Sequence, residues 1–157
     1  MTDKKLIEAK EDAIRAFRTV KAFLDEQELH YAVDEEDRRF DLSFIDNLEC
    51  MIVADEEREL LYFRFRTDIV VKKEDADKYA IAFSCANDRI ALGGFEKDDG
   101  GRICLRYVLP FSGSLLAKKA VGNVVSGMLF EASGCYDKFT KVPSCDEKYE
   151  QIVALFS

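Results

Sequence analysis

His30 is the only histidine of the chain, and it is the base that a thiol hydrolase would need beside a cysteine. It follows the predicted first helix directly, where an exposed imidazole is the ordinary expectation. The sequence has five cysteines, none of them in a Cys-x-x-Cys pair: Cys50, Cys85, Cys104, Cys135 and Cys145. One histidine and unpaired thiols disfavour both zinc binding and Cys–His catalysis. We expect five reduced thiols and no metal.

Carboxylates are abundant, but none lies deep inside an apolar stretch of the kind that prepares a general acid. Glu131, between Phe130 and Ala132, is the nearest candidate. The favoured interpretation is a carboxylate on a helix flank that reaches solvent or pairs with a lysine. Neither a calcium loop nor a glycine-rich phosphate loop is present. The sequence therefore predicts no catalytic residue, no cofactor and no enzyme.

Charge and hydropathy limit the partners. The formal net charge of −8 repels phosphate backbones, so nucleic acid is not expected as a partner. The longest apolar run, residues 120–130, is shorter than the about 18 to 20 residues that a membrane span needs. Charges near the start occupy the place of a signal peptide's apolar run. We expect one cytoplasmic domain over residues 1–157, without a membrane partner.

Hydrophobic periodicity predicts an α+β fold. Helical spacing is followed by strand alternation, then by a helix, a hairpin and two further helices, in the order α-β-β-β-α-β-β-α-α. The predicted helices cover residues 6–28, 73–87, 115–132 and a last segment capped by Ser144 with Glu147, and the predicted strands cover residues 40–44, 48–54, 61–65, 88–95 and 102–109. Ser112 or Ser114 would start the third helix. Strands that arrive in hairpins predict an antiparallel sheet with the helices packed mainly on one face.

The predicted helix over residues 115–132 carries more apolar surface than one sheet requires. Its apolar residues occupy an arc of roughly 180°, whereas packing against a sheet needs about 100° or somewhat more. Another helix of the chain could cover the second flank. Alternatively, the flank is a subunit or partner interface, with four candidate residues: Val121, Val125, Leu129 and Ala132.

Residues 80–95, the turn at residues 98–101 and the following residues 102–109 resemble the YbjN-type family, which is proposed to contain bacterial sensory transduction regulators. The first helix and the strands at residues 40–44 and 61–65 arrive in the family's order, so the resemblance extends over roughly residues 17–139. The resemblance implies a fold similar to type III secretion chaperones, often dimeric, that binds segments of other proteins. It implies no catalytic residue. The sequence departs from the family at residues 84–87, where members commonly show a Leu-Asn-x-x-Asn pattern and only Asn87 is retained.

Two function classes follow. The first is a non-enzymatic regulator or chaperone-like protein that binds another protein or a peptide segment, as a homodimer. The binding surface would be the spare flank of the helix over residues 115–132 or an exposed face of the sheet. The second is a small-molecule-binding protein or an unrecognised enzyme, with a pocket between helix and sheet lined by aromatic residues such as Phe63, Phe65, Tyr79, Phe83 and Phe95.

Overall fold

The computed structural model describes residues 3–44, 47–111 and 116–157. Within them, six strands form one sheet in the order β1-β2-β3-β4-β6-β5, and every neighbouring pair is antiparallel. The strands are β1 (Tyr31–Asp34), β2 (Arg39–Phe44), β3 (Leu48–Asp55), β4 (Leu60–Val70), β5 (Gly94–Lys97) and β6 (Arg102–Pro110). The helices are α1 (Asp3–Glu26), α2 (Ala76–Arg89), α3 (Lys118–Lys141) and α4 (Lys148–Leu155). The α+β class with an antiparallel sheet is confirmed.

Alternation along the strands creates two different faces of the sheet. Buried and less buried residues alternate through β3, from Leu48 to Ala54, and through β4, from Leu61 to Thr67. The helices pack on the buried side, with α1 against β3 and α3 against β4. Phe17 of α1 stacks on Phe40 of β2 with ring centroids 4.7 Å apart. The prediction of helices gathered mainly on one face is therefore confirmed.

A second part of the core lies between α2, α3 and the end of the chain, around the fully buried ring of Phe139. The hydroxyl of Tyr79 donates a hydrogen bond to the Phe139 carbonyl at 2.9 Å. The rings of Phe95 and Phe156 lie 4.9 Å and 5.2 Å from the Phe139 ring. These contacts join α2, β5 and the C-terminal residues to the same helix.

Strand β1 was not predicted. Its four residues are exposed or only half buried, so they lack the alternation that identifies a strand. The strand exists because Tyr31 pairs with Leu42 and Asp34 with Arg39 across β2. The observed order therefore contains one strand more than the predicted one.

The prediction of a strand over residues 88–95 was wrong in its first half. Helix α2 continues to Arg89, and β5 begins only at Gly94. Asn87 helps to fix this connection, because its side-chain oxygen accepts the Phe95 N–H at 2.6 Å and its amide donates to the Phe95 carbonyl at 3.1 Å. The apolar residues around Ile90 belong to the turn between helix and strand.

Helix α3 extends nine residues past its predicted end at Ala132, to Lys141. Gly134 does not stop the helix, because a glycine costs a helix interior only about 1 kcal/mol relative to alanine. Burial of Cys135 and Phe139 on later turns favours continuation. Ser112 and Ser114, the predicted starts of this helix, lie outside the described residues.

The predicted capping box of the last helix is also wrong. Ser144 lies in a short 3-10 turn (Val142–Ser144), and its hydroxyl donates to the Lys141 carbonyl at 2.7 Å. The residue that precedes α4 is Glu147. The hydroxyl therefore completes the turn after α3 instead of capping α4.

Candidate functional site

The open face of the sheet is the face opposite to the helices. We define it by the residues that alternate with more buried ones on the four longest strands: Arg39, Asp41 and Ser43 of β2, Glu49, Met51 and Val53 of β3, Tyr62, Arg64 and Arg66 of β4, and Arg106 and Val108 of β6. The face combines half-buried apolar side chains with arginines and carboxylates. It is a mixed surface rather than an apolar patch.

Most of the charges on the open face are paired across or along the strands. Arg39 binds both carboxylate oxygens of Asp41, each at 2.8 Å. Arg66 donates twice to Glu49 Oε2, at 2.9 Å and 2.7 Å. Ion pairs as exposed as these contribute about 0 to 1 kcal/mol each to stability. Their clearer effect is to hold the guanidinium groups in defined positions.

Arg64 differs from its neighbours. In the pairing register it lies opposite Met51 of β3 and opposite Arg106 of β6. Arg106 has Glu96 at 3.7 Å, but among the described residues Arg64 forms no ion pair. Like charges directly opposite each other on a sheet are destabilising. A carboxylate supplied by another molecule would relieve this repulsion.

Arg64 lines a surface depression of about 590 Å³ on this face. Arg39, Arg64 and Arg66 line it together with Asp41 and Glu49, and the residues at the start of β1 form its edge. This volume lies within the range of about 300–1,000 Å³ that is usual for ligand sites. Because the depression is open and crosses three strands, its shape suits a segment of polypeptide.

His30 and Cys50 both line this depression, but Cys50 belongs to the buried set of β3, with Leu48 and Ile52, and not to the open face. Cys50 is only 2% exposed, and this burial raises the pKa of its thiol far above the ordinary value. Burial also raises the pKa of Cys104, to about 12, and that of Cys135. These thiols are protonated at neutral pH and are poor nucleophiles.

Glu131 has a structural partner that the sequence did not indicate. Its Oε1 accepts the backbone N–H of Ala91 at 3.1 Å, in the connection between α2 and β5. The carboxylate therefore joins α3 to this connection. It is half-exposed and so still reaches solvent from the helix flank, and within the described residues it forms no ion pair with a lysine.

The predicted interface residues on α3 are mostly core. Val121, Val125 and Ala132 are between 0% and 4% exposed, and Leu129 is half-buried against the same core. Helix α1 packs on α3, with the Phe23 ring beside Gly122. This contact lies on the second apolar flank, beyond what the sheet itself requires. Another helix of the chain thus covers much of the wide apolar arc. Contact of α3 with a second chain through the four named residues stays a prediction.

The aromatic residues named for a ligand pocket fill the space between helix and sheet. Phe63 and Phe65 are fully buried, and Tyr79 and Phe95 are 2% and 4% exposed. Phe83 is half-buried and packs its ring against Phe139 at 5.7 Å. These rings are packed core.

Over residues 3–44, 47–111 and 116–157, no group of three or more histidine, cysteine or carboxylate side chains could hold a metal ion. In that same part of the chain, no helix combines the length and the hydrophobicity needed to cross a membrane.

The sequence offered an exposed sheet face as one possible binding surface, but it did not identify the residues of that face. Arg64 and Arg66 alternate with Phe63 and Phe65, which assigns the arginines to the solvent face of a strand. The position of Arg106 beside Arg64 depends on the register between β4 and β6. No local pattern contains that register, because the two strands are separated by a helix and a further strand.

Comparison with known proteins identifies the fold. No protein-family model matches the sequence, and no curated protein sequence matches it. The chain resembles a chain of the crystal structure of the ExsC–ExsE complex, with a TM-score of 0.58, 14% identity and coverage of 78% of this chain and 92% of that one. It also resembles a chain of the HopA1–SchA chaperone–effector complex, with a TM-score of 0.56, 14% identity and coverage of 85% and 97%. The chain therefore has the chaperone-like α+β fold of these structures.

Proposed function

We propose that this chain is a non-enzymatic, chaperone-like protein that binds a segment of another protein on the open face of its sheet. The observation that carries the proposal is the depression of about 590 Å³ that Arg64 lines. Three arginines line it, two of them are fixed by carboxylates, and the third lies opposite another arginine. The likeness to structures of a chaperone–effector complex and of ExsC with ExsE supports a protein as the ligand.

The composition of the face indicates how such a segment would be held. Met51, Val53 and Tyr62 offer apolar contact between the charged groups. Carboxylates of the segment would meet Arg64 and Arg106, where charge-assisted hydrogen bonds are stronger than neutral ones. The apolar contacts would bury surface area of the segment. The arginines would select an acidic sequence and fix its register on the sheet.

The finer parts of the sequence prediction belong to the same proposal. The whole chain, residues 1–157, acts as one domain in the cytoplasm and forms a homodimer. Its relationship to YbjN-type bacterial regulators is part of this proposal and rests on the sequence resemblance alone. A dimer would place two open faces in one particle and allow a longer segment to be bound by both.

The test compares two charge-reversal variants with the same change in net charge. Arg64→Glu/Arg106→Glu alters the open face, whereas Lys4→Glu/Lys10→Glu alters exposed positions on α1. Polypeptides that co-purify with the wild-type chain are identified by mass spectrometry, purified and titrated by calorimetry. We expect the sheet variant to weaken binding at least about tenfold and the α1 variant less than about twofold, because charge pairs at an interface are worth several kcal/mol.

Two results would contradict the proposal. One is equal retention of the partner by both variants, which would place the contact elsewhere. The other is that no polypeptide binds the folded wild-type chain above background. Circular dichroism of both variants confirms that they are folded before they are compared.

A further inference from the structure

A second depression lies on the helical side of the molecule, where the end of α2 meets α3 and the last residues of the chain. Its volume is about 160 Å³, enough for one large apolar side chain. Ala86, Cys135 and Phe156 are almost fully buried and form its apolar floor. From this geometry we infer a second binding site, for a short acidic segment of another protein that inserts one apolar side chain.

Exposed aromatic rings mark this surface. Phe130 lines the depression and is 76% exposed, the largest value among the large apolar side chains of the described residues. Tyr149 is 70% exposed and lines a neighbouring depression of about 440 Å³. Arg89 lines both depressions. Aromatic residues with an adjacent arginine are the side chains that most often dominate protein interfaces.

Gly134 supplies an independent observation. Helix α3 has three glycines, and a Cβ on the first two would lie 2.9 Å from a neighbour, Phe23 for Gly122 and Leu92 for Gly127. At Gly134 a Cβ would meet no atom within 4 Å. Packing within the described chain therefore gives no reason for this unfavourable helix residue. Its effect is to keep the depression open.

Charge selects the chemistry of the segment. Arg89 and Lys138 line the depression, and the single carboxylate there, Glu131, already accepts the Ala91 N–H. Arg89 has no ion pair within the described part of the chain, and Lys138 lies 5.7 Å from the centre of the Phe156 ring. This local excess of positive charge occurs in a chain with a net charge of −8. It complements an acidic segment.

A second copy of the chain fits this surface less well. A two-fold contact places the same patch on both sides, so the excess cations of one copy would face those of the other. Like charges brought together at an interface are costly. The site is therefore assigned to a different protein, and it is separate from the open face of the sheet.

The experiment selects displayed random peptides on the folded full-length chain and measures the enriched ones by fluorescence anisotropy. We expect enriched sequences to combine Asp or Glu with one nearby Leu, Ile, Phe or Met. Gly134→Leu fills the depression, and Arg89→Glu reverses its charge. Each should weaken binding about tenfold or more, as loss of a central contact does at other interfaces.

The controls separate this site from its surroundings. Ser133→Leu adds the same side chain at an exposed neighbouring position and should change affinity by less than twofold. Arg64→Glu/Arg106→Glu should also leave it unchanged, so failure at one site does not count against the other. The inference is overturned if no peptide is enriched, if enriched peptides lack acidic residues, or if Gly134→Leu binds like the wild type. It is also overturned if the surface serves dimerisation, shown by a dimer in solution that Phe130→Asp converts to a monomer.

Discussion

The two faces of the sheet are built from the same strands but have opposite properties. Phe63 and Arg64 are neighbours in β4, yet Phe63 is fully buried beneath the helices and Arg64 lies on the open face. The buried face is closed by α1 and α3, whereas the open face carries arginines held in place by carboxylates. The difference indicates that one face maintains the fold and the other is available for binding.

The largest expected effect on stability comes from comparing alanine substitutions at two adjacent residues of β4. Phe63→Ala should lower the free energy of unfolding by about 3–5 kcal/mol, because it leaves a cavity in a closed core. Arg64→Ala should change it by no more than about 0.5 kcal/mol, since the side chain has no ion pair within the described residues and faces Arg106. Urea unfolding measures both. A loss at Arg64 as large as that at Phe63 would show that the open face is also needed for stability.

A pair of tyrosines gives a finer version of the same contrast. Tyr79 is 2% exposed, and its hydroxyl donates to the Phe139 carbonyl. Tyr62 lies on the open face and makes no hydrogen bond to another described residue. Tyr79→Phe should cost about 1 kcal/mol, the usual contribution of a hydrogen bond, and Tyr62→Phe should be neutral. Equal effects in urea unfolding would contradict the assignment of these residues to different environments.

Parts of the fold with strong local patterns were predictable from sequence. Phe40 and Leu42 alternate with charged residues, and the strand predicted there is present with nearly the predicted bounds. Gly134 misled the prediction of α3, because a glycine after an apolar run resembles a helix end while later burial of Phe139 keeps the helix intact. Local propensity is weak compared with tertiary packing at such positions.

The candidate site was harder to predict from the sequence than the fold. The sequence offered the apolar surface of α3 or a sheet face, but only the assembled structure shows that Val121 and Val125 are buried and that α1 packs on α3. The position of Arg106 opposite Arg64 similarly depends on which strands become neighbours. Both facts arise from pairings between distant parts of the chain, and neither hydrophobic periodicity nor turn chemistry contains them.

The smallest expected effect is a loss of stability in acid, and it arises in the hairpin of β5 and β6 at the border of the open face. Burial acts to raise the pKa of Asp98, but hydrogen bonds from the Arg102 backbone and the Cys104 thiol, with the nearby Arg66, hold it below the ordinary value of 3.8. A carboxyl whose pKa is lower in the folded state stabilises the protein above its unfolded pKa, and this contribution is lost as the pH falls through the folded value.

Asp98→Asn should therefore be less stable than the wild type near neutral pH, and the difference should shrink between roughly pH 5 and pH 2. Urea unfolding at a series of pH values measures it. The matched control is Asp99→Asn, an exposed neighbour that makes no hydrogen bond to another described residue, and its difference from the wild type should not follow this pattern. If the stability difference between Asp98→Asn and the wild type is constant with pH, the hairpin does not depend on the charged carboxylate. Backbone pairing alone would then hold the border of the open face.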